Sequence, residues 1–132
     1  MRLKQAMVAV TASAGLVFCT GGMAAAEKSV STKLSNGVLT VIAEDGCVLG
    51  GNCKLFFPAT QYKKTSGSKV SIQLALDTGN SLHKTEAMTI SSGQTKSKSW
   101  GGMPKSKAKD CSVAGYMVAT TGKYWTPNLK VC

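Results

Sequence analysis

Residues 69–77 carry the clearest pattern in the chain. Val70, Ile72, Leu74 and Leu76 alternate with Lys69, Ser71, Gln73, Ala75 and Asp77. A period of two sends successive side chains to opposite faces, so this stretch predicts a strand with one wet face. A helix needs apolar spacings of three and four together, and would scatter residues two apart around its axis, so strict alternation argues against one here. Similar signals recur along the chain. Asn36-Gly37 is a turn ahead of an apolar, β-branched run at 38–43, which Glu44-Asp45-Gly46 closes. Residues 54–57 read as a short strand that Pro58 should end. Tyr62 opens another, broken by Thr65-Ser66-Gly67-Ser68. Thr78-Gly79-Asn80-Ser81 turns the chain into a return strand at 82–90, ended by Ser91-Ser92-Gly93. A late strand at 113–120 is turned by Thr121-Gly122-Lys123 toward Tyr124-Trp125. The one place for a short helix is 126–130. About seven short strands with a turn signal roughly every 8–12 residues predict an all-β fold, either a small antiparallel β-sandwich or a partly open β-barrel. No repeat or linker divides residues 27–132, which read as a single domain.

The first 26 residues have a different organisation. Arg2 and Lys4 precede an apolar run at 6–19, and a small-residue stretch ends in Ala24-Ala25-Ala26. This order is that of a secretory signal peptide cleaved before Glu27. The run is about 14 residues, short of the roughly 20 that a spanning helix needs. Residues 1–26 are therefore expected to be removed, leaving a periplasmic or secreted chain with no transmembrane segment. Leu16-Val17-Phe18-Cys19 loosely resembles a lipobox, but Phe18 is bulky where a small residue is wanted.

Export changes the meaning of the cysteines. Losing Cys19 leaves Cys47, Cys53, Cys111 and Cys132, an even set suited to disulfides in an oxidising compartment. Of the three possible pairings, the favoured one joins Cys47 to Cys53 and Cys111 to Cys132. The first bridge would clip a turn containing Gly46, Gly50 and Gly51; the second would pin the last residue to the body. Zinc ligands usually come in closer pairs than Cys47 and Cys53, and His83 is the only histidine. No metal or cofactor is expected.

Of 16 basic residues, removal of Arg2 and Lys4 leaves 14; against 6 acids the net charge of 27–132 is +8. All 14 are lysines. Arginine is the residue of bidentate recognition, whereas lysine acts as a hydrated point charge. The balance argues against base-specific nucleic-acid reading and for diffuse attraction to an anionic partner, or for solubility alone.

The lysines concentrate in segment 95–110. Lys96 and Lys98 lead to Trp100, and Lys105, Lys107 and Lys109 follow Met103. In extended chain, each group would share one face. A turn at Gly101-Gly102-Met103-Pro104 would then bring the two rows together as a basic patch with an aromatic at its tip. The plainer alternative is that edge lysines only prevent sheets from joining. Trp125 and Tyr124, with Tyr62 and Tyr116, could serve sugar binding, but the favoured role for Trp125 is to plug the core beside Cys111 and Cys132. Phe56-Phe57 puts one ring inside and the other partly outside.

Catalytic patterns are weak. There is no G-x-S-x-G elbow, no C-x-x-C pair and no phosphate-binding glycine loop, and the acids are scattered. The sequence therefore predicts a non-enzymatic exported protein. Its partner would be another protein (a toxin, an enzyme or a host factor), blocked by the basic loop as an inhibitor or immunity-type protein would. The alternative is a secreted or surface-associated module that binds an anionic glycan, lipid or nucleic acid through the same lysines.

Overall fold

A computed structural model describes residues 27–132; the expected signal peptide, with Cys19, lies outside the described residues. The strands are β1 (Glu27–Leu34), β2 (Gly37–Asp45), β3 (Leu55–Lys64), β4 (Val70–Asp77), β5 (Leu82–Lys84) and β6 (Met88–Ile90). They continue as β7 (Thr95–Ser99), β8 (Met103–Pro104), β9 (Ser112–Ala119), β10 (Gly122–Trp125) and β11 (Leu129–Lys130). Two 3-10 turns, Lys105–Lys107 and Lys109–Cys111, are the only helical pieces among the described residues. None is long and apolar enough to cross a membrane.

Two antiparallel sheets result, as the alternating pattern predicts. The first has the order β1-β2-β3-β7, with β8 also on β3. The second has the order β10-β9-β4-β5, with β6 on β4 and β11 on β9. Their inner faces meet in a sandwich core. Val41 and Phe56 of the first sheet pack with Leu76 and Val113 of the second. Leu39 and Tyr62 pack with Ile72, Leu74 and Met117. Gly115 of β9 sits where the sheets approach closely: a Cβ there would lie 3.1 Å from the Val41 Cβ. Both disulfides, Cys47–Cys53 and Cys111–Cys132, join the expected partners. The Val131 N–H donates to the Cys111 carbonyl at 2.8 Å, so the chain end lies against the body.

One strand was not anticipated, and three local expectations are corrected. Strand β1 carried no strong signal, because it is an edge strand with Lys28, Ser29, Ser31 and Lys33 exposed; only Val30, Thr32 and Leu34 are half-buried. Pro58 does not end a strand, for β3 runs through it to Lys64. The carbonyl of Pro58 accepts the Trp100 N–H at 2.9 Å, on the edge side of β3. A residue in an antiparallel ladder aims its N–H and C=O at the same neighbour. The donor that proline lacks thus falls beside the irregular edge at Gly101 and Gly102, where no ladder partner needs it. The return strand at 82–90 is split in two, because Thr85 uses its hydroxyl as the ladder acceptor for the Leu74 N–H (3.0 Å). Finally, 126–130 is not helical; Leu129–Lys130 pairs with β9 instead.

Candidate functional site

Strand β7 is the edge of the first sheet, and its register decides where its side chains go. Lys96 lies opposite Tyr62, and Lys98 opposite Thr60. Tyr62 and Thr60 are buried, so Lys96, Lys98 and Trp100 project on the core side of the edge, toward the second sheet. Ser97 and Ser99 take the outer face. Lys96 is half-buried, while Lys98 is exposed.

Trp100 is fixed by hydrogen bonds. Its Nε1–H donates to Thr60 Oγ1 at 3.1 Å, and Thr60 Oγ1 donates to the Ala75 carbonyl at 2.8 Å. That chain joins the two sheets through a buried hydroxyl. Lys98 Nζ lies 5.9 Å from the Trp100 ring centroid, within range of a cation–π contact. The His83 ring, on the edge strand β5, stands 6.2 Å from Trp100 at a 45° tilt. Ser81 Oγ is 3.3 Å from His83 Nε2. The cluster therefore spans the opening between two edge strands, one from each sheet.

The expected turn at Gly101-Gly102-Met103-Pro104 does not form. Gly101, at φ +76°, lets the chain bulge, after which β8 resumes pairing along β3 in the same direction, Met103 opposite Phe56. Continuing the pairing satisfies backbone groups that a reversal would leave open at this edge. The two lysine groups consequently follow one another along the edge instead of facing each other.

The second group is not an extended row either. Lys105 Nζ makes a 3.1 Å salt bridge to Asp45 Oδ1. The Cys47 N–H and the Lys105 ammonium hold the Asp45 carboxyl below its ordinary range. Buried Ala108 anchors the segment. Asn80 Nδ2 donates to the Lys107 carbonyl at 3.0 Å, and a Cβ at Gly79 would come within 2.7 Å of the Lys109 Cβ. Lys107 and Lys109 thus stand exposed beside the 78–81 turn, and Met103 packs half-buried against the core. Of the seven predicted residues, Lys96, Lys98 and Trp100 form one cluster; the others are distributed along the edge.

The favoured role for Trp125 is corrected. Tyr124 lies opposite the core residue Met117, so the alternation turns Trp125, opposite Tyr116, to the outer face of the second sheet. There it is 50% exposed and stacks on Tyr116 at 4.3 Å and 22°. Phe56 is buried, and Phe57 is half-covered by the Gly102 bulge. Sequence reasoning passed over Val48 and Leu49. Both are largely exposed on the loop that Cys47–Cys53 clips, where two apolar neighbours between turn residues gave no periodic signal. Among the described residues, no three His, Cys, Asp or Glu side chains gather into a candidate metal site.

Comparison with protein-family models, curated proteins and solved structures returned no match. The functional reading rests on the geometry of the chain itself.

Proposed function

We propose that this chain is an exported, non-enzymatic binding protein that blocks an acidic site on another protein through its basic edge, in the manner of an inhibitor or immunity-type protein. The supporting observation is Trp100, pinned through Thr60 to the opposite sheet and flanked by Lys96 and Lys98. An aromatic held in place loses little side-chain entropy on docking, and neighbouring lysines steer an acidic partner to it. The two disulfides add rigidity and suit an oxidising compartment, in keeping with a periplasmic or secreted location. Lys107 and Lys109 extend the positive field along the same edge, whereas Lys105 is engaged by Asp45.

A second reading has its own observation. Trp125 lies half-exposed and flat on Tyr116, and the pairing register places Lys84 and Lys123 on the same sheet face. A ring flanked by cations is a stacking platform for an anionic glycan. Titration of the purified chain against its partner at rising salt separates the two. Protein docking at the edge predicts a loss of about 2 kcal/mol or more for Trp100→Ala, with Trp125→Ala neutral. Binding that survives Trp100→Ala, disappears with Trp125→Ala and falls steeply with salt supports the glycan reading instead.

A further inference from the structure

Lys64 ends β3 and is 1% exposed, one of the largest fully buried side chains in the molecule. The alternation along β3 points it inward, as it does Tyr62 two residues earlier. The turn at 65–68 roofs it: a Cβ added at Gly67 would lie 3.2 Å from Lys64 Nζ. The Asn36 side-chain amide reaches the same spot, 3.0 Å from that position. Among the described residues no carboxylate or carbonyl pairs with the Lys64 ammonium. Burying a cation without a counter-charge is among the costliest arrangements a fold can hold.

Lys64 lines a cavity of about 30 Å³ at this end of the sandwich, between the two sheets. Tyr62, Tyr124, Thr121 and Asn36 share the lining, and it contains no Asp or Glu. Burial and the neighbouring Tyr124 raise the Tyr62 phenol above its ordinary range, so at neutral pH it keeps its proton and can donate. Asn36 Oδ1 accepts from Ser66 Oγ at 3.1 Å, and the other end of the same amide carries the two N–H donors. Thr121 Oγ1 and Tyr124 OH lie 2.9 Å apart; one donates to the other, whose own proton stays available. A buried lysine and several side chains that carry N–H or O–H donors thus line one small space that holds no carboxylate.

We infer that this cavity is a carboxylate-binding site, with Lys64 as counter-charge and the Tyr62, Tyr124 and Asn36 donors around it. The planar head of a carboxylate, with two oxygens, suits a recess with room for about two waters better than a tetrahedral phosphate or sulfate does. The group would come either from a free monocarboxylic acid or from the C-terminus of a polypeptide. The site lies away from Trp100 and does not depend on the edge reading.

Thermal melts of the oxidised 27–132 chain in a bulky zwitterionic buffer test the inference. Acetate at ten times its Kd should raise the Tm by about 5 °C or more, with phosphate giving no comparable shift. Lys64→Met should abolish the shift and be at least as stable as wild type without acetate, since an apolar side chain replaces an uncompensated charge. Tyr124→Phe, which keeps the ring and the charge, should weaken acetate about tenfold. A larger shift with N-acetyl-glycylglycine than with acetate, absent for its amide, would assign a chain terminus; equal shifts would assign a free acid. An acetate response unchanged in Lys64→Met, or in Tyr124→Phe if the lysine variant does not fold, overturns the site. So does a wild-type chain that responds to neither carboxylate.

Discussion

Thr60 is the residue on which most of the edge geometry turns. Its hydroxyl accepts from Trp100 and donates to Ala75, so one buried oxygen ties an edge side chain to the opposite sheet. Trp100→Phe removes the donor together with the smaller ring of the indole, and urea unfolding should show a loss of about 1 kcal/mol or more. Thr60→Val strands the indole N–H and should cost about 1–3 kcal/mol, with a shift in tryptophan fluorescence. Neither role was legible in sequence, because a threonine in a strand says nothing of a partner 40 positions away. Tyr62 gives a pH prediction at the same scale. Its folded pKa is raised, first by desolvation and then by Tyr124, so its contribution is fully present below the unfolded value near 10.0. That contribution is lost as pH rises from there through the folded value. Absorbance titration should show a tyrosine phase above the ordinary phenol range, and Tyr62→Phe should remove it.

At the scale of elements, strict alternation was the readable part. The 69–77 pattern became β4 almost residue for residue, because Ile72, Leu74 and Leu76 are buried in the core. The face expected to be wet is half-buried, and Ala75 on it is fully buried. Edge strands were harder to read. Strand β1 buries little, and β7 is mostly hydroxyl and lysine, so neither displays an apolar face. Pro58 misled for a related reason: its missing donor matters only where a neighbour needs it, and neighbours are a property of the sheet. The cysteine pairing was legible because one bridge clips a glycine-rich turn and the other pins the chain end. Their loops differ in length, with separations of 6 and 21 residues. On the chain-entropy account, replacing Cys47 and Cys53 by serine should cost about 2 kcal/mol, and replacing Cys111 and Cys132 about 3 kcal/mol. Denaturant titration of the two variants under oxidising conditions measures both. Equal losses would show that strain or residual structure governs instead.

For the whole molecule, the fold class followed from patterning and composition, but the arrangement of charge did not. Fourteen lysines in residues 27–132 announce a positive protein without saying which of them lie together. Register supplies that information: it sets Lys96, Lys98 and Trp100 on one side of β7, turns Trp125 outward and folds Lys64 inside. The central claim is that the β7 edge, beside Trp100, is the docking surface for another protein. A photo-crosslinking side chain at position 98, with one at Ser29 on the opposite edge as control, tests it most directly in the protein's own cells. The account predicts one discrete adduct from position 98, none from position 29, and loss of the adduct on adding Trp100→Ala. Equal labelling from both positions, or an adduct at 98 indifferent to Trp100, would contradict it.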